Sequence, residues 1–384
     1  MITKLEIQNF RCLKEISIQG MKPITLISGE SNVGKSSLLE SIHLLTEIND
    51  PNIFSRLCMT RSLPFNFSPD WLWSHLFTNR NMNNSIVITR TDSQNNSETI
   101  EITQEDSFSF TSYIKDNPFD LPQFFIDNYF GNLPQALKVT YNTVMNGKDE
   151  TQEAHYLLNE KYINIVPRLV IPKNFTNSLF YCSNLTYPPQ IISKWYSHFV
   201  FTKSKQKFVE LLQLLEPRIV DIYLLDVKNI ISLYCKFDSK LDLEIMIPLA
   251  ALGESINKFA NLILNLYYKP GSILLVNEIE NGLHYNFFPI LWQILYEIIN
   301  ETKSQLIATT HSYDCIRALH TITKYHKEYD DQEDDDFELK EDLTDTMSDR
   351  ISFIRLDNIK GTTFPKIFNE KNFHTALTQR FEIR

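Results

Sequence analysis

Gly29-Glu30-Ser31-Asn32-Val33-Gly34-Lys35-Ser36 is the stretch whose reading decides the fold. It fits G-x-x-x-x-G-K-[ST], and its surroundings fit as well. Ile24 to Ser28 is a short apolar run that reads as a buried strand. From Ser36 to Ile48, Leu38, Leu39, Ile42, Leu45 and Ile48 recur at helical spacing, which predicts a helix with one buried face. Strand, glycine loop and helix in that order aim backbone N–H groups and a helix N-terminus at one point, where phosphate oxygens bind. The expectation is a nucleotide-binding loop of Gly29, Asn32, Gly34, Lys35, Ser36 and Ser37, with Lys35 reaching the β and γ phosphates and Ser36 ligating Mg2+. A chance glycine turn is the plain alternative.

Three further stretches lie in the last third of the chain. Ile273-Leu274-Leu275-Val276-Asn277-Glu278 is an apolar strand with polar groups at its exit, as a Walker B element has, and Glu278 there can activate water as a general base. Gln305 to Thr309 is a second buried strand, leading through Thr310 to His311, which at that sheet edge would face the ligand crevice. Gly253-Glu254-Ser255 opens a helix about twenty residues before the Walker B strand; alone it is an ordinary N-cap. Strands alternating with helices at about 255–267 and 283–300 predict an α/β domain around a buried parallel sheet.

The remainder bounds the answer. The chain has 384 residues, 43% hydrophobic and 22% charged, which excludes disordered and fibrous classes. No run approaches the roughly 18 apolar residues of a membrane span, and the chain opens without a signal peptide's pattern, so no membrane and a cytoplasmic location are expected. Five cysteines without paired spacing read as reduced thiols. The net charge of -10 arises within residues 328–345, leaving the rest neutral and a DNA partner neither demanded nor excluded. Ser85 to Arg90 and Glu98 to Thr103 predict a hairpin, the aromatic-rich stretch 108–186 is read as helical, and strands are expected near 219–225, 230–237, 243–247, 351–356 and 363–368, before a final helix at 371–381.

With Lys4-Leu5-Glu6-Ile7-Gln8-Asn9-Phe10-Arg11 at the front, the order of these elements resembles the ABC-type ATPases of the SMC, RecF and OLD group. Within it the chain is most similar to the compact AAA-type ATPases of bacterial anti-phage defence pairs such as PARIS, on Gly29 to Glu40, Asn277-Glu278-Ile279-Glu280-Asn281-Gly282-Leu283-His284-Tyr285 and Ala308 to Ile316. The resemblance implies a P-loop ATPase head with a mostly parallel central sheet, an antiparallel β subdomain and a largely helical insertion. It divides the chain into an N-terminal ATPase lobe (1–104), the insertion (105–218) and a C-terminal lobe (219–384) that includes an acidic loop at 328–349. ATP and Mg2+ are the implied cofactors, with Ser36 and Asn277 at the metal, Glu278 and His311 catalytic, and Arg11 near the nucleotide unless it is a surface arginine. Two heads would sandwich ATP as a homodimer or higher homo-oligomer, Gly253 and Ser255 of one meeting the γ phosphate of the other in trans.

Two departures matter. Asn277 stands where the group has the Walker B aspartate, which implies weaker Mg2+ binding or slow turnover. The signature element reads Leu-Gly-Glu-Ser, which is compatible with the group without being diagnostic. Roughly 215 residues without heptads separate it from the phosphate loop, against long coiled-coil arms. Only about seventy residues follow His311, so no nuclease domain is expected there. The leading expectation is an ATPase that senses or scaffolds and regulates a separately encoded effector, a nuclease or toxin. The alternatives are a RecF-like DNA-clamping ATPase, with Lys203, Lys205 and Lys207 on a basic surface, and a nucleotide-dependent interaction protein with negligible hydrolysis.

Overall fold

In the computed structural model the described residues are 1–61, 73–105, 108–109, 132–133, 136–158, 163–172, 178–181, 187–238, 245–330, 347–369, 372, 373, 375 and 377. The expected acidic loop, most of the final helix, and Cys182 lie outside them. The chain opens with β1 (Ile2–Phe10), β2 (Leu13–Gln19) and β3 (Ile24–Gly29), then α1 (Lys35–Thr46) and α2 (Ile53–Met59). Next come β4 (Ile86–Asp92), β5 (Ser97–Glu105), the two-residue strands β6 (Phe108–Ser109) and β7 (Asn132–Leu133), β8 (Ala136–Met145), β9 (Lys148–Leu158), β10 (Ile163–Val166) and β11 (Ser178–Tyr181). Helices α3 (Pro189–Thr202) and α4 (Lys205–Gln213) lead to a three-stranded sheet of β12 (Ile219–Val227), β13 (Ile230–Phe237) and β14 (Ile245–Pro248). The chain then runs through α5 (Glu254–Tyr268), β15 (Ile273–Val276), α6 (Phe288–Thr302), β16 (Gln305–Thr309), α7 (Tyr313–Asp330), α8 (Met347–Arg350), β17 (Ile351–Ile359) and β18 (Thr362–Phe368).

Two large sheets organise these elements. The central sheet, in the order β11-β15-β16-β3-β17-β18, is parallel throughout except for β18, which folds back antiparallel on β17. An antiparallel sheet, β10-β9-β8-β5-β4-β1-β2, stacks against it. Period-two alternation sends Ile273, Leu275, Ile307, Ile27 and Ile354 into the core between the sheets, and Leu274, Val276, Leu306, Leu26 and Phe353 into the core beneath α5 and α6. A parallel sheet covered on both faces needs such continuous apolar strands. The α/β fold is therefore the expected one.

Three expectations change. Helix α1 is buried around nearly its whole circumference, because it lies between the sheets and not on the surface. The stretch expected to be a helical insertion carries strands β8, β9, β10 and β11 instead, its described helices being α3 and α4 alone. Leu137, Val139, Tyr141 and Thr143 alternate inward, and Asn146 and Gly147 (φ 51° and 77°) form the left-handed pair that a tight hairpin requires. This sheet also runs across residue 104, since β5 pairs with β8. Finally, the helix expected from Leu283 begins only at Phe288, after a short 3-10 turn at Tyr285–Phe287, with Pro289 in its first turn.

Candidate functional site

The C-terminal ends of β3, β15 and β16 lie side by side, β16 in the middle. Each delivers one of the motifs, so residues more than two hundred positions apart converge at one edge of the sheet, where open α/β sheets bind ligands.

The phosphate loop leaves β3 at Gly29 and enters α1 at Lys35. Gly34 caps the helix with φ 103°, and a Cβ there would stand 2.6 Å from Leu13 Cδ2, so the position accepts only glycine. No side chain caps the start of α1, which leaves its first N–H groups able to bind an anion. Lys35 Nζ donates to the carbonyls of Gly29 and Glu30 at 2.7 Å each, folding the ammonium over the loop. Burial lowers its pKa to about 8, with Glu278 and Glu280 pulling the other way. An ammonium so desolvated favours the charge of a phosphate.

Asn277 and Ser36, 241 positions apart, touch: Ser36 Oγ donates to Asn277 Oδ1 at 2.9 Å. Thr309 Oγ1 donates to the same oxygen at 3.0 Å and accepts the Glu278 N–H at 2.8 Å. The ends of β15 and β16 are thereby joined through one hydroxyl, and the Walker B exit is fixed against the phosphate loop. Ser36 and Asn277 offer two neutral oxygens in the place of a metal ligand set, which fits Mg2+ retained largely through water and phosphate oxygens.

Glu278 holds a left-handed backbone (φ 53°), unusual for glutamate and a form of strain found at functional sites. Its carboxylate accepts a hydrogen bond from Asn281 Nδ2. Glu280 Oε1 accepts the His311 N–H at 2.6 Å, tying the Walker B turn to the loop after β16. His311 thus lies at the same edge, placed by its backbone. The signature region adjoins from the other side: Ser255 Oγ donates to Gly282 O, and Gly253, at the surface, has open space around it.

Two expected residues have other partners. Arg11, at φ 52°, is not a surface arginine: its side chain is 8% exposed, with Nε 2.8 Å from Glu40 Oε2 and Nη2 donating to Leu57 O. The Ser37 hydroxyl accepts from Arg61 Nη2 at 3.0 Å, which leaves its backbone, not its side chain, for a phosphate. Arg61 also grips Glu40, through Nε at 2.8 Å and Nη2 at 3.0 Å. Glu40 thus anchors α1 between two guanidinium groups, a role that its place in the helical repeat did not announce.

The three lysines read as a possible basic surface share two carboxylates within the chain, which offsets most of their charge. Lys203 pairs with Glu301, Lys207 lies 3.6 Å from the same carboxylate, and Lys205 bonds Asp221 at 2.7 Å. Among the described residues no helix is long and apolar enough to cross a membrane, and no cluster of three or more acidic, histidine or cysteine side chains is arranged to hold a metal. Cys12 is exposed, and Cys58, Cys235 and Cys315 are buried, all free thiols.

Comparison with known proteins gives the chain's family. The family model described as "AAA ATPase domain" matches residues 1–208, more than half of the chain, which therefore belongs to that family. A second, "AAA domain, putative AbiEii toxin, Type IV TA system", matches residues 205–314. The chain is 21% identical over 348 residues to an "ATP/GTP phosphatase" of Helicobacter pylori, covering 84% of this chain and 89% of that protein. Among solved structures it is similar to an SMC head bound to the C-terminal winged-helix domain of ScpA (TM-score 0.46, 13% identity, 96% and 98% coverage). It is also similar to an SMC head with an extended coiled coil, bound to the C-terminal domain of ScpA, from Pyrococcus furiosus (TM-score 0.45, 12% identity, 99% coverage of each).

Proposed function

We propose that this AAA-family ATPase binds ATP in the phosphate loop, hydrolyses it slowly from the Glu278 carboxylate, and uses the cycle to regulate a separate effector, with anti-phage defence as the setting in the cytoplasm. The observation that carries the chemistry is the contact of Ser36 with Asn277, which joins the phosphate loop to the strand exit bearing Glu278. Lys35 and the uncapped N–H groups of α1 would hold the β and γ phosphates. Ser36 and Asn277 would hold Mg2+, which when bound offsets phosphate charge. Glu278 orients the attacking water and accepts its proton. His311, at the neighbouring strand end, completes the rim as a hydrogen-bonding partner for the γ phosphate. Slow turnover follows from Asn277, whose amide brings no negative charge to the metal.

Two heads closing on ATP, with Gly253 and Ser255 of one at the γ phosphate of the other, agree with the exposure of Gly253 beside the Walker B turn. The defence setting, though not the separate effector, is in keeping with the description of the second family model, "AAA domain, putative AbiEii toxin, Type IV TA system".

Calorimetry and phosphate release test the site. Lys35→Ala is expected to abolish ATP binding at concentrations that saturate the parent, and Glu278→Gln to bind normally while turnover falls about a hundredfold or more. Unchanged ATP affinity in Lys35→Ala would overturn the loop assignment. Phage plating on cells carrying the chain in its native locus tests the setting: equal plating with and without Lys35→Ala would remove it.

A further inference from the structure

Lys258 takes no part in the chemistry above, yet it reaches the Walker B turn. It lies in the second turn of α5 and is only 2% exposed. A buried ammonium must be compensated by hydrogen bonds or opposite charge. Nζ donates to Glu278 O at 2.9 Å and to Asn281 O at 2.8 Å, so one side chain grips both ends of the segment Glu278-Ile279-Glu280-Asn281. The Asn281 side chain returns to the Glu278 carboxylate through Nδ2. Burial lowers the Lys258 pKa to about 8, while Glu280, Glu254 and Glu278 favour its charge.

The turn needs such a fastening. Glu278 has φ 53° and Gly282 φ 74°, and a glutamate in the left-handed region persists only where its surroundings impose it. Thr309 holds the entry, its Oγ1 accepting the Glu278 N–H and its carbonyl the Ile279 N–H at 2.9 Å. Ser255 holds the exit through Gly282 O. Lys258 lies between these anchors, on the helix whose first residues are exposed at the site's rim.

We infer that Lys258 is a positioning residue for hydrolysis: from α5 it fixes the backbone at Glu278 and Asn281, so that the Asn281 amide aims the Glu278 carboxylate at the water it activates. This rests on the reading of Glu278 as the base. Loss of the ammonium takes a donor from both carbonyls, leaving Glu278 O with the Asn281 N–H at 3.1 Å, and frees the turn to relax without touching Lys35 or the N–H groups of α1. Catalysis then falls while nucleotide binding stays.

The test uses the full chain, with ATP and Mg2+, and compares Lys258→Met, Asn281→Ala and Glu278→Gln, singly and in pairs, by steady-state phosphate release and ATP calorimetry. Lys258→Met is expected to lower kcat at least about thirtyfold, with the ATP Kd within about threefold of the parent. Combined with Glu278→Gln it should be no slower than Glu278→Gln alone, because both remove one function. A kcat near the parent's, or a pair slower than Glu278→Gln by the full single-variant factor, overturns the inference. A Glu278→Gln protein that turns over at the parental rate removes the base itself, and the inference with it; a slow Glu278→Gln beside a fast Lys258→Met removes the inference alone. Should Lys258→Met not fold, Asn281→Ala decides: about a tenfold lower kcat at unchanged affinity supports the relay, and the parental rate overturns it.

Discussion

At the scale of single residues, Asn277 holds the most consequential oxygen in the site. Its Oδ1 accepts hydroxyls from both Ser36 and Thr309, so one neutral acceptor satisfies two donors. Asn277→Asp should preserve those bonds and add a charge beside Mg2+, lowering the Mg2+ concentration for half-maximal phosphate release about tenfold and raising turnover. Repulsion from the adjacent Glu278 opposes the gain by making that base harder to ionise. A dication held at Ser36 and position 277 would be the larger effect. Identical Mg2+ titrations for the two proteins would show that position 277 does not address the metal. Glu40 is the structural counterpart: its carboxylate is 2% exposed between Arg11 and Arg61. Glu40→Ala would leave the Arg11 guanidinium buried and unpaired, so urea denaturation should show a loss of about 3 kcal/mol.

At the scale of elements, α1 joins the phosphate loop to the edge of the central sheet through His43. Its Nδ1 lies 3.0 Å from Ser178 Oγ, and Phe180 of β11 stacks on its ring. Burial lowers the His43 pKa to about 3, so the folded chain keeps the ring neutral where the unfolded chain, near 6.5, takes up a proton. The unfolded state binds more protons between those values, and stability therefore falls as pH drops from about 6.5 toward 3, with nothing lost above that window. At pH 5 the cost is about 2 kcal/mol, and the fall in Tm from pH 7 to pH 5 should shrink by about 2 °C in His43→Leu. An equal fall in both proteins would place the acid sensitivity elsewhere. None of this is legible before folding, because β11 is four residues long and its partner β15 lies almost a hundred positions away. The strands flanking the motifs were legible, since each carries a continuous apolar run with a turn at its end. The hairpin of β8 and β9 was misread as helix: its alternation and the pair Asn146-Gly147 carry the signal, but the aromatic density around it argues for packed structure without choosing strand or helix. The motif residues announced themselves by spacing. The grip of Arg61 on Glu40 and of Lys258 on the Walker B turn did not, because each depends on which element folds against which.

At the scale of the whole molecule, the question is whether one head is a complete enzyme. Lys35, Ser36, Asn277, Glu278 and His311 converge within a single chain, while Gly253, at the start of α5, is exposed with open space around the position of a Cβ. Its φ of -53° admits any side chain, so Gly253→Arg should fold normally and block a partner's phosphate from that helix start without disturbing the Ser255 bond to Gly282. If two heads are related by a two-fold axis, each site combines one chain's phosphate loop with the other's signature. Lys35→Ala and Gly253→Arg should then each be inactive alone. In an equal mixture half the dimers are mixed, and each of these holds one intact site, formed by the loop of the Gly253→Arg chain and the signature of the Lys35→Ala chain. Phosphate release should recover to about a quarter of the parental rate, provided the two sites act independently. A Gly253→Arg protein active by itself would mean that the helix start serves no nucleotide, and a mixture that stays silent after subunit exchange is verified would mean that each head works only with its own α5.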